Sequence, residues 1–109
     1  MSDITSGTHY MLVGAMAAIV GDTAPRVQAR IKTVEVSLNG TGVVTATVTL
    51  WATNIKNNYG KWVELFTVDL AGTDKDTFGR LVDAPWQYMR AELVSITGTS
   101  ATVDVVLGV

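Results

Sequence analysis

The side chains whose spacing invites chemistry are few: one histidine, His9, three glutamates at Glu35, Glu64 and Glu92, and a pair of aspartates, Asp74 and Asp76. A lone histidine cannot build a histidine metal cluster. A nucleophilic triad through His9 would need a serine such as Ser37 or Ser95 and an aspartate carried beside it, and no spacing in the chain arranges this. Paired carboxylates run glycoside hydrolysis, so the three glutamates are candidates for that work. Each lies between apolar neighbours in an alternating segment, however, which makes it an outward residue on a solvated strand face. Asp74 and Asp76 have the two-residue step of a calcium loop but lack its further oxygen ligands and closing glutamate. No Gly-rich loop leads into a helix to cradle a phosphate. With no cysteine in the chain, thiol nucleophiles, thiolate metal sites and disulfides are excluded. The expectation is a protein without catalytic residues, metal or cofactor.

Charge narrows the partners. Ten acidic and eight basic residues leave a net charge of −2, scattered without runs, whereas nucleic-acid binding rests on a clustered Lys/Arg footprint. The apolar run at residues 10–20 is about half the length of a membrane span. No Lys or Arg precedes it, which argues against a signal peptide. Neither nucleic acid nor membrane is an expected partner. Charged residues make up only 17% of the chain against 48% hydrophobic, thin for a solitary soluble monomer, and this points to assembly with itself or another protein.

The elements that would position any site read as strands. Residues 1–9 are an N-terminal arm of small and polar types around Ile4, and 10–109 form a single domain, a size at which one core suffices. The run from His9 through Tyr10, Met11, Leu12 and Met16 to Val20 is compatible with strand or short helix; Gly14 and the all-β context favour strand. After a turn at residues 21–25, Val27, Ala29 and Ile31 point inward and Arg30 and Lys32 outward. The phase then changes to Val34, Val36 and Leu38, which predicts a β-bulge near Thr33.

Asn39-Gly40 predicts a tight hairpin, because Asn-Gly supplies the positive φ angles of primed turns. Beyond it Val44, Ala46, Val48, Leu50 and Ala52 alternate with Thr45, Thr47, Thr49, Trp51 and Thr53. Trp51, large and set in a threonine row, is either the cover of a sandwich edge or an interface anchor. A loop at 54–60 carries Tyr59. A strand at 62–70, apolar on both faces, reads as central. A turn at 71–75, a short edge strand at 76–82, a strand at 86–97 and, after Gly98-Thr99-Ser100, a last strand with Ala101, Val103, Val105 and Leu107 inward complete the chain. Six to eight short strands with Gly/Asn turns make an antiparallel β-sandwich, jelly-roll-like, or a partly closed barrel.

Residues 43–109 carry a resemblance. T-A-T-V-T-L-W-A-T-N, N-N-Y-G-K-W-V-E-L-F-T-V-D-L and A-P-W-Q-Y-M-R-A-E-L-V-S-I-T-G-T-S-A-T-V-D-V-V-L-G-V resemble small β-sandwich structural proteins of tailed bacteriophages. The segment 56–60 departs from the Ser-Asn-Asp-Gly more common there. The resemblance implies a virion component that decorates or cements the outer capsid surface, often as a trimer. Its implied partners are the major capsid protein and its own copies. The alternative is a neck, tail or fibre component, with glycan binding as one version through exposed aromatics. Contacts are expected from the arm and the 10–20 run, at Ile4, His9, Tyr10, Met11, Leu12 and Met16, and from Trp51 and Tyr59.

Overall fold

A computed structural model describes residues 8–21, 30–55 and 61–109. Among these residues the chain forms strands and no helix: β1 Thr8–Ala15, β2 Ile19–Val20, β3 Ile31–Thr53, β4 Val63–Asp83 and β5 Tyr88–Gly108. All pairings are antiparallel in the order β1-β5-β3-β4, with β2 also on β5. The expected arm, Ile4, the turn and strand residues 22–29, including Val27 and Ala29, and the loop residues 56–60, including Tyr59, lie outside the described residues; Thr8 and His9 already belong to β1.

The three long strands cannot be straight. β3 has 23 residues, which would span about 75 Å fully extended, yet the longest dimension of the molecule is 39 Å. The register breaks show where it folds. β3 breaks step between Asn39 and Val43, opposite Thr73 to Lys75 of β4 and Thr97 to Thr102 of β5. These irregular stretches lie side by side and form one crease across the sheet. One layer holds residues 8–15, 31–39, 75–83 and 102–108; the other holds 19–20, 43–53, 63–73 and 88–97. Val34, Val36 and Leu38 from the first layer and Val44, Val48 and Leu50 from the second are all fully buried in one hydrophobic cluster, with Leu93, Val103, Val105 and Leu107 of β5. The two layers therefore cover each other, and the fold is an antiparallel β-sandwich made by creasing a single sheet.

This geometry corrects the reading of the turns. Asn39-Gly40 opens no hairpin, because β3 keeps β4 and β5 as its neighbours on both sides of the break. The residues at 71–75 and 98–100 behave alike, so the short segments read from the sequence are halves of longer strands. The crease needs residues that tolerate crowding and left-handed backbone. Gly98 has φ 126°, and a Cβ on Gly40 would lie 2.7 Å from Val44 Cγ1 and 3.1 Å from Ala101 Cα. Asp74 and Asp76, spaced like calcium ligands, serve the crease instead. Asp74 accepts the Gly42 N–H at 2.7 Å, and Asp76 accepts the Ala71 and Thr77 N–H groups at 3.0 and 2.9 Å. These bonds satisfy backbone N–H groups at and beside the crease.

Two further expectations change. The 62–70 segment, from Val63 on, belongs to β4, an edge strand rather than a central one among the described residues; its second apolar face is only partly covered, with Val63 47% exposed. No bulge occurs at Thr33, since register runs unbroken from Ile31 to Asn39. The apparent change of phase came from placing Lys32 outside. Ile31 is exposed and Lys32 is buried, at 1% exposure, so the inward set starts at Lys32 and continues through Val34. Its aliphatic stem joins the core while Nζ donates to the carbonyls of Arg30 at 3.2 Å and Ala84 at 2.5 Å, the behaviour of an amphipathic side chain at a core margin.

Burial pushes the Lys32 ammonium below its ordinary pKa of 10.5, partly offset by the nearby Asp83 carboxylate. The folded chain thus gives up this proton at lower pH than the unfolded chain does. Over the alkaline range between the lowered value and 10.5, the unfolded state binds more protons, and stability rises with pH. Below that range the penalty for the buried charge is constant. Urea unfolding of the wild type and of Lys32→Met, from neutral pH to about pH 10, is expected to show a stability gain in the wild type that the variant lacks; parallel curves would refute the lowered pKa.

Candidate functional site

The outward face of the second layer carries the threonine row. Thr45 bonds Thr97, Thr47 donates to Asp69 at 2.8 Å, Thr49 and Thr67 share a bond at 3.0 Å, and Trp51 Nε1 donates to Glu92 at 3.1 Å. The row is therefore a ladder that ties β3 to β4 and β5, the kind of cross-strand pairing that stabilises a sheet. Trp51 is half-buried, and its indole N–H is already engaged. Trp62, just before β4, lies under the Arg90 guanidinium, 4.3 Å from its ring centroid, a cation–π contact that occupies one of its faces. Trp86 is half-buried and packs on the core. These aromatics hold the sheet together more than they offer open rings.

The possible catalytic groups are not gathered into a site. Glu64 and Glu92 flank β3 on this outer face, opposite Trp51 and Thr49, while Glu35 lies on the other layer. Glu92 accepts from Trp51, and Glu64 is in weak reach of Thr67 at 3.5 Å. His9 pairs with the buried Leu107 and so faces inward; Ser37 sits between buried Val36 and Leu38 and faces outward. Ser95 is on the second layer, opposite Thr47.

The 10–20 run builds the most distinctive surface. Its strand reading holds, as β1 and β2 joined by a bend at residues 16–18. Like the long strands it crosses from one layer to the other, β1 on the C-terminal half of β5 and β2 on the N-terminal half. Met11 and Leu12 are core residues at 2% and 6% exposure, which corrects their assignment as contacts: a β1 kink turns both inward where its register with β5 slips. Tyr10 and Met16 are exposed, as contacts must be, and His9 is half-buried. Val13, Ile19 and Val20 of the same run are exposed with them. Their signal was the absence of any charged residue from Thr8 to Gly21. Together they line an open hollow of about 540 Å³ walled by β1, the bend and β2.

No family model and no curated protein matches the sequence. Among solved structures, the chain is similar to the crystal structure of SPBc2 prophage-derived protein YomS. The match has 13% identity and a TM-score of 0.55, and it covers 94% of this chain and 91% of that one. A structure described as "CBM4 structure and function" matches at 13% identity with a TM-score of 0.43, over 91% of this chain and 54% of that one. At such identity the first likeness establishes the fold: the creased β-sandwich of this chain is an architecture that a prophage-derived protein also has.

Proposed function

We propose that this protein is a virion structural component of a tailed bacteriophage, a capsid decoration or cement protein that binds the outer surface of the head. It acts without catalysis, as a homotrimer, and its partners are the major capsid protein and its own copies. The observation that carries this reading is the fold likeness to a prophage-derived protein over nearly the whole of both chains. The phage-like pattern of residues 43–109 and the charge-free exposed surface at Tyr10, Val13, Met16, Ile19 and Val20 agree with it. A rigid creased sheet suits attachment at many equivalent sites, because a preorganised surface loses little entropy on binding.

Incubation of the purified protein with undecorated capsids, followed by sedimentation and imaging, tests the proposal. Saturable binding at repeating positions on the outer shell is expected. Failure to bind would move the assignment to a neck, tail or fibre component. The glycan-binding version of that alternative is disfavoured by the Thr/Trp51 face, whose hydroxyls and indole N–H are already bonded within the sheet.

A further inference from the structure

Among the described residues the creased sheet has two free edges, and they differ in chemistry. β4 carries Glu64, Asp69, Asp74, Asp76 and Asp83 against Lys75 and Arg80. Five acids less two bases give a net charge of −3 along one strand. The opposite edge, β1 and β2 with their bend, carries no acid and no Lys or Arg from Thr8 to Gly21. It exposes Val13 and Met16 at 72% each, Tyr10 at 56%, Ile19 at 54% and Val20 at 45%. Natural sheets guard an open edge with charge, and only one of these edges is guarded. Exposed contiguous apolar surface of this kind marks an interaction site.

We infer that the β1–β2 edge is the contact between copies of this chain, the same edge of each copy meeting those of the others around one common axis. The inference rests on the reading that the protein works as an assembly and names the surface that makes it. Charge selects the occupant. Two β4 edges brought together would repel, with −3 on each. A β4 edge laid on β1–β2 would strip water from seven charged side chains without supplying partners. Only β1–β2 against β1–β2 buries apolar surface without either cost.

The contact is made by side chains rather than by strand addition. β1 loses register with β5 on both sides of Leu12. Gly14 sits at φ 56°, and its N–H donates to Asp104 Oδ1 at 2.6 Å, back into the same molecule. Such kinks spoil an edge as a template for a further strand. They also open the hollow beside Met16, whose flexible thioether chain adapts to irregular gaps. A standard interface draws about 20–30 residues from each side. The residues from Thr8 to Gly21 other than the buried Met11 and Leu12 supply roughly half of that, so association is expected with a Kd on the order of micromolar.

The test is analytical ultracentrifugation of the full-length protein alone, over a range of concentrations, with Val13→Asp, Met16→Glu and a control on the other edge, Leu81→Asp. The wild type is expected to gain mass with concentration and to retain its assembly in high salt. Val13→Asp and Met16→Glu should each weaken association by about 30-fold or more with unchanged circular dichroism, while Leu81→Asp leaves it unaltered. A wild type that stays monomeric at millimolar concentration overturns the inference, as does an oligomer indifferent to both β1–β2 substitutions or broken by Leu81→Asp. Because no capsid is present, the result is independent of the decoration role. An oligomer that ignores capsids would sink that role and leave this contact standing; a capsid-binding monomer would do the reverse.

Discussion

Gly98→Ala is expected to destabilise the protein by about 3–5 kcal/mol, through strained backbone and overpacking together. Gly98 lies at the crease of β5 with φ 126°, a region that a residue with a Cβ rarely enters. The added carbon would meet Val44 Cγ1 at 2.7 Å, Val43 O at 3.0 Å and Val44 Cα at 3.2 Å. Two of these three are backbone atoms of the neighbouring strand, so no rotamer change relieves the contact and the crease itself must open. Thermal denaturation should show the midpoint falling by at least about 12 °C, given roughly 4–8 °C per kcal/mol for a domain of this size. Gly79→Ala is the internal control, since a Cβ there meets nothing within 4 Å; it is expected to change stability by less than about 1 kcal/mol. A Gly98→Ala protein as stable as Gly79→Ala would mean that the two layers do not close as tightly as described.

Truncating the core on either side of the crease is the second large effect. Leu38 belongs to the first layer and Leu50 to the second, and both are fully buried in the one cluster that the layers share. Leu38→Ala and Leu50→Ala are each expected to cost about 2–5 kcal/mol, the sum of lost transfer energy and residual cavity. The more telling result is the form of the urea transition. Because each layer covers the other, neither can unfold alone, and both variants should show a single transition with the wild-type slope and a lower midpoint. A split transition in Leu38→Ala would show that the first layer melts independently, contrary to a common core.

Much of the fold is legible in residue types. The alternation of Val44, Ala46, Val48, Leu50 and Ala52 with threonines placed that face inward, and the structure buries all five. Ala101, Val103, Val105 and Leu107 were placed inward on the same ground and are also buried, because the two-residue period of a strand is a local property. The crease was not legible. A Gly/Asn cluster specifies local backbone angles, and both a hairpin and a fold within a strand use them. The choice depends on which strand lies alongside, and that pairing is long-range. Lys32 misled for a related reason: binary patterning places a lysine outside, and only the carbonyls of Arg30 and Ala84, brought together at the end of the layer, allow it inside.

The candidate surface divides in the same way. Tyr10 and Met16 stand in an apolar run and are exposed, yet Met11 and Leu12 from that run are core, since the β1 kink that sorts them answers to pairing with β5. Trp51 was singled out for its size, and the register that sets Glu92 one strand away decided that its N–H is spent within the sheet.

By itself the sequence determined the all-β class, the inward faces of the long strands and the absence of charge from Thr8 to Gly21, for these follow from residue type and period alone. Only the tertiary structure decided that three turn signals align into one crease and that, among the described residues, the charge-free stretch forms one edge of the sheet and the acidic β4 the other. Edges and creases are properties of strand order, and strand order is set by contacts between residues far apart in the chain.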